Sequence, residues 1–215
     1  AGNGTRPDAR RVAWGAAEEQ MIQIPEHIPT WWYAVAGTVA ALALLVWIYL
    51  LLRAYRIRRA IDAAISSVAY EMLKNVLIPN GNGGQIHVHY LLLTQRGLLV
   101  ADLLDLPGAI FGGDQMLEWT AIGKKRRYTF TNPQHALYDR MAAVRLLTGD
   151  VPVEGRLLFT LRSEFPKGKP RNCLRIDSIT QDFPPVDKAR GNITAAFGDV
   201  WANVKRNAEP NPLAA

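Results

Sequence analysis

The run from Trp31 to Leu52, "WWYAVAGTVAALALLVWIYLLL", carries no charged residue. A helix of that length crosses roughly 30 Å of hydrocarbon, and only a helix or a closed barrel satisfies the backbone there. The run therefore predicts a transmembrane helix over residues 31–53. Trp31, Trp32 and Tyr33 at one end and Trp47 and Tyr49 towards the other suit the two membrane interfaces. A cleaved signal peptide does not fit, because the stretch is too long and is followed by arginines instead of a small-residue cleavage site.

Arg53, Arg56, Arg58 and Arg59 follow the run, whereas Glu18, Glu19 and Glu26 precede it, with Arg10 and Arg11 further away. The positive-inside bias places the C-terminal part in the cytoplasm of a bacterial cell, anchored once in the inner membrane. Residues 1–30 become an outside tail without an assigned fold, residues 54–208 a cytoplasmic domain and 209–215 a C-terminal tail. Ala36, Gly37, Ala40 and Ala41 supply the small residues that let a second helix approach, so a homo-oligomer is among the expected partners, beside the lipid bilayer.

From Arg53 onward there are 22 lysines and arginines against 15 aspartates and glutamates, a net charge of +7. The juxtamembrane arginines are explained by acidic headgroups. Lys124, Lys125, Arg126 and Arg127 form a second cluster, between two strand-like segments, "LEWTAIG" and "YTFTNP". A tetrabasic hairpin tip is suited to the phosphates of DNA, although a solvated turn has the same composition. The lone Cys173 excludes an internal disulfide framework and, with no Cys/His cluster around it, a structural zinc site; it reads as a small strand residue.

Residues 54–76 carry apolar positions at helical spacing, and "PNGNGG" at 79–84 breaks the chain. A hairpin follows over Gln85 to Gly108, turning at Gln95-Arg96-Gly97, where glycine supplies a positive φ. Alternation puts His87, His89, Leu91 and Leu93 on one face, and pairing around the turn sets His89 opposite Asp102. Beyond lie the basic hairpin, a helix near 133–147, strands around "GRLLFTL" and "CLRIDSI", and a helix near 186–207. The order predicts an α+β or α/β domain, a mixed sheet with exposed edges flanked by helices.

Several of these phrases, in this order, resemble the nuclease-related domain (NERD) family, a branch of the restriction-endonuclease-like superfamily. The resemblance runs from about Ile57 to Asp182 and rests on "HYLLLTQRGLLVAD", "PGAIFGG", Trp119, "FTNPQHAL" and "GRLLFTLRSEFP". It implies an active site with an aspartate on the first hairpin strand and Glu-x-Lys on the second, holding a divalent metal such as Mg²⁺, which needs oxygen ligands. Those positions fall on His89, Asp102 and Leu104, so only the second keeps an acid. Leu104 cannot handle water or charge. Asp105 is expected on the opposite face from Asp102, and Gln134 matches the family's later glutamine only with a shifted register.

The apolar helix and its flanking arginines, taken with what the resemblance implies, point to a membrane-anchored, catalytically degenerate module without a cofactor, binding protein or nucleic acid at the cytoplasmic face. Two alternatives stand beside it. One is an active nuclease with rearranged ligands, in which His87, His89 and Asp102 hold a divalent metal. The other is an adaptor with a protein partner in a DNA-handling membrane machine, such as a conjugation or secretion apparatus. The chain has no nucleophile motif, phosphate-binding glycine loop or dinucleotide fingerprint.

Overall fold

A computed structural model describes residues 30–124, 126–187 and 193–212. The expected outside tail, Lys125 of the basic cluster and the last three residues lie outside the described residues. The chain divides into two units, Ala1–Ala54 and Tyr55–Ala215. In the first, the described residues belong to helix α1 (Thr30–Ser67), and Trp31 to Ala54 are all solvent-exposed. The helix is long and apolar enough to cross a membrane.

In the second unit α1 ends at Ser67, where Ser66 and Ser67 turn their hydroxyls back to the carbonyls of Ala63 and Ala64. The expected helix over 54–76 therefore stops short, and its last part is strand β1 (Glu71–Pro79). The spacing of Ile57 to Met72 is helical, but β1 finds a continuous antiparallel partner in β2 (Gln85–Thr94), from Glu71↔Leu93 to Pro79↔Gln85. Long-range pairing overrides local periodicity here.

β2 turns into β3 (Gly97–Leu104) through a two-residue loop, Gln95-Arg96, with Thr94 paired to Gly97. Gly97 opens the second strand instead of closing the turn, one place from the expected position, and its φ of 121° is the positive value anticipated. The chain continues through β4 (Gly108–Phe111), β5 (Glu118–Ile122) and β6 (Arg127–Thr131) to helix α2 (Pro133–Thr148). Asn132 caps α2 by accepting from the Gln134 amide, and Pro133 occupies its first turn. Then come β7 (Val153–Phe159), β8 (Ser163–Glu164), β9 (Cys173–Arg175), the short α3 (Ile179–Asp182), α4 (Ile193–Asn207) and β10 (Glu209–Pro210), the last formed where the C-terminal tail was expected to begin.

The main sheet has the order β10-β1-β2-β3-β7-β9, with β3, β7 and β9 parallel to one another and the other pairs antiparallel. One apolar cluster joins Leu91, Leu93, Val100 and Leu157 to α2 (Leu137, Met141, Val144) and α4 (Trp201, Val204). A second joins Leu92, Leu99 and Leu158 to the end of α1 (Ile65) and to α3 (Ile179) and Phe183. The central strands are thus buried on both faces, which explains the unbroken apolar runs "LLL" and "LLVA". A second sheet, β6-β5-β4-β8, carries the basic hairpin, so the fold is a mixed sheet flanked by helices with an additional small sheet. Cys173 is buried in β9 and burial pushes its thiol up to about 12, in keeping with a packing residue.

Candidate functional site

The site lies where the pairing of the central hairpin changes. The β2–β3 ladder ends at Tyr90↔Ala101. Beyond it, β2 continues against β1 through Val88, His87 and Gln85, while β3 continues against β7 from Asp102↔Leu157 to Leu104↔Phe159. His89 and Asp102 therefore face each other just past the last pair, with Nδ1 3.6 Å from Oδ1. The His87 and His89 rings meet edge to face, their centroids 4.8 Å apart.

Helix α2 packs over this point and delivers Arg140. Its Nη1 donates to Asp102 Oδ2 at 2.9 Å and its Nε donates to the His87 carbonyl at 2.6 Å. Sequence reasoning missed this residue. A faint signal existed, because Arg140 sits at helical spacing within the stripe Leu137, Met141, Val144, and a cation there needs a buried partner. The partner is Asp102, whose side chain is only 5% exposed.

Burial raises the Asp102 pKa, an effect opposed by Arg140 and the two histidines. The His87 pKa is lowered, first by burial and then by repulsion from His89 and Arg140. Four ionisable groups thus share one partly closed corner. Three of their buried atoms, His87 Nε2, His89 Nδ1 and Asp102 Oδ1, have no hydrogen-bond partner.

Leu104 packs against the apolar cluster beneath α2. Asp105 leaves the site entirely: it accepts from Thr160 Oγ1 at 2.7 Å and from Arg162 at 2.9 Å. Gln134 is also spent elsewhere, donating to Asp114 and to the Arg171 carbonyl from a buried position. None of the three makes a polar contact with His87, His89 or Asp102 among the described residues.

The donor set does not fit Mg²⁺. One carboxylate remains where hard-cation chemistry asks for several oxygens, and a guanidinium already neutralises it. Among the described residues, no three His, Cys, Asp or Glu side chains are grouped to hold a metal ion.

The basic residues form a separate feature at the tip joining β5 to β6. Lys124, Arg126 and Arg127, with Pro107, Gly123 and Tyr128, line a cavity of about 590 Å³. All three cations are exposed.

A mixed sheet flanked by helices, whose central hairpin carries an acid beside the end of its ladder, has the architecture of the restriction-endonuclease-like class. Within that class, the sequence model of the nuclease-related domain matches residues 53–160, half of the chain, and the protein belongs to this family. No curated protein and no solved structure matches the chain significantly.

Proposed function

We propose that this protein is a membrane-anchored nuclease-related module that holds nucleic acid by its phosphate backbone and does not cleave it. α1 anchors it, with the arginines that follow marking the cytoplasmic side. The observation that carries the loss of cleavage is the 2.9 Å bond from Arg140 to the retained carboxylate. The guanidinium occupies the charge-neutralising role that a metal has in a hydrolytic site, yet it cannot accept and activate water.

Binding is supported by the hairpin tip. Several cations elsewhere in the domain are tied to carboxylates: Lys74 to Asp62, Arg96 to Glu154, Arg156 to Glu154 and Asp182, Arg162 to Asp105, Arg175 to Asp177 and Lys205 to Glu71, while Lys167, Lys169 and Arg206 stand singly or in short runs without such a pair among the described residues. Lys124, Arg126 and Arg127 have no ion-pair partner among the described residues. What sets the tip apart is that its three unpaired cations line one cavity, an arrangement suited to a polyanion.

The test is the salt dependence of DNA binding by the full chain in neutral-lipid nanodiscs. Replacing Lys124, Arg126 and Arg127 together by alanine is expected to lower the slope of log affinity against log salt by about 2 to 3 for duplex DNA. An unchanged slope contradicts the assignment.

The three unbonded atoms favour a second reading, a two-histidine, one-carboxylate site for a softer metal, which requires Arg140 to leave Asp102 and the side chains to regroup, since as they stand they are not gathered around a metal position. Calorimetry with Zn²⁺ and Mn²⁺ separates the two. Binding that disappears in His89→Ala supports the second reading, and no heat beyond dilution supports the first.

A further inference from the structure

The cavity at the hairpin tip has more than charge. Pro107 and Tyr128 line it beside Lys124, Arg126 and Arg127. Tyr128 lies on β6, an edge strand of the small sheet, opposite Ala121. Two residues on, Phe130 stands beside it with centroids 6.1 Å apart. The two rings have different duties. Phe130 is half-buried and covers the fully buried Trp119, edge to face at 6.3 Å. Tyr128 is 37% exposed and outside both apolar clusters, and it makes none of the side-chain hydrogen bonds found among the described residues.

A site for phosphate alone needs donors and positive charge, and gains nothing from an apolar, aromatic wall. A site for a nucleotide uses both: the phosphate sits on the cations and the base lies against a ring. The cavity is open to solvent, and its volume of about 590 Å³ leaves room for a nucleotide-sized group. In a duplex the bases are stacked on one another and cannot reach such a wall, whereas an unpaired strand offers their faces freely.

We propose that the hairpin tip is a single-strand site, in which a base stacks on Tyr128 while the adjoining phosphates are held by Lys124, Arg126 and Arg127. This rests on the nucleic-acid reading above and specifies its substrate as unpaired strand over duplex. Stacking on an aromatic face tolerates any base, so the site reads strandedness and not sequence.

The test is fluorescence anisotropy with the full chain in neutral phosphatidylcholine nanodiscs, where lipid supplies no net negative charge. The probes are a labelled oligothymidylate of about 15 nucleotides, within the span of single-strand sites, and a duplex carrying the same number of phosphates. The single strand is expected to bind about tenfold more tightly than the duplex. Tyr128→Ala is expected to lower single-strand affinity about tenfold and leave duplex binding unchanged, and Tyr128→Trp to retain the preference. Equal binding of both probes, with Tyr128→Ala silent, overturns the stacking site while the nucleic-acid reading survives. Failure of both probes to bind overturns the two together.

Discussion

Arg140 and Asp102 form the contact on which the site turns. The carboxylate is nearly closed from solvent and the guanidinium also holds the His87 carbonyl, so removing the arginine strands two acceptors at once. Arg140→Ala is expected to destabilise the domain by about 3 kcal/mol, the range for breaking a buried pair from one side. Asp102→Asn, which keeps an acceptor for Arg140, is expected to cost less; urea unfolding followed by tryptophan fluorescence ranks the two. His87 adds a pH dependence. Its folded-state basicity lies below the ordinary value of 6.5, so its contribution is complete above that value and is lost as pH falls through the depressed folded value. The stability of the wild type relative to His87→Gln is therefore expected to decline on acidification below about pH 6.5, read from urea midpoints between pH 5 and pH 8. Asp102 acts in the opposite sense, since burial raises its pKa: its contribution favours the fold in acid and fades as pH rises through the raised value.

At this scale the sequence was partly transparent. Counting by twos from Gly97 sets His89 against Asp102, because register in a tight hairpin follows from the turn. Arg140 was opaque, since its contact depends on where a helix 38 residues further along the chain crosses the sheet.

Among the elements, α2 matters most, because it aims Arg140 and closes one face of the sheet. It rests on β7 at Gly155. A Cβ there would lie 2.3 Å from Met141 Sδ and 3.1 Å from Leu137 Cγ. Gly155→Ala displaces the flexible thioether first, whereas Gly155→Val also drives Leu137 and the helix outward. The valine variant is expected to lose about 2 kcal/mol and to loosen the Arg140–Asp102 bond. Thermal melting of the alanine and valine variants side by side shows whether the loss grows with side-chain size. At the other end of the sheet, α4 is fixed by Glu71 of β1, which accepts from Trp201 at 2.6 Å and Lys205 at 2.9 Å. Those bonds hold its pKa below the ordinary carboxylate value. The first part of β1, up to Val76, reads as helix from the sequence for a physical reason: "YEMLKNVLIP" has both patterns in it, and the choice between them is made by β2, not by the segment itself. The small sheet was only half visible. Its hairpin could be read from alternation about the basic turn, but β8 is two residues long and pairs with β4 across more than fifty positions.

For the molecule as a whole, ancestry and present chemistry are separate questions. The chain belongs to the nuclease-related family, and in it Asp102 is bonded to Arg140 while Leu104 packs against the apolar cluster. Fold carries no activity by itself. In the function proposed above, the two working features are the apolar helix, as anchor, and the hairpin tip, as the holder of phosphate. The measurement that bears most directly on this is cleavage of labelled single-stranded and duplex DNA by the full chain in neutral nanodiscs with Mg²⁺ or Mn²⁺. The expected result is no cleavage above that of an Asp102→Ala preparation, with DNA still bound. Metal-dependent cleavage that Asp102→Ala abolishes would contradict the account.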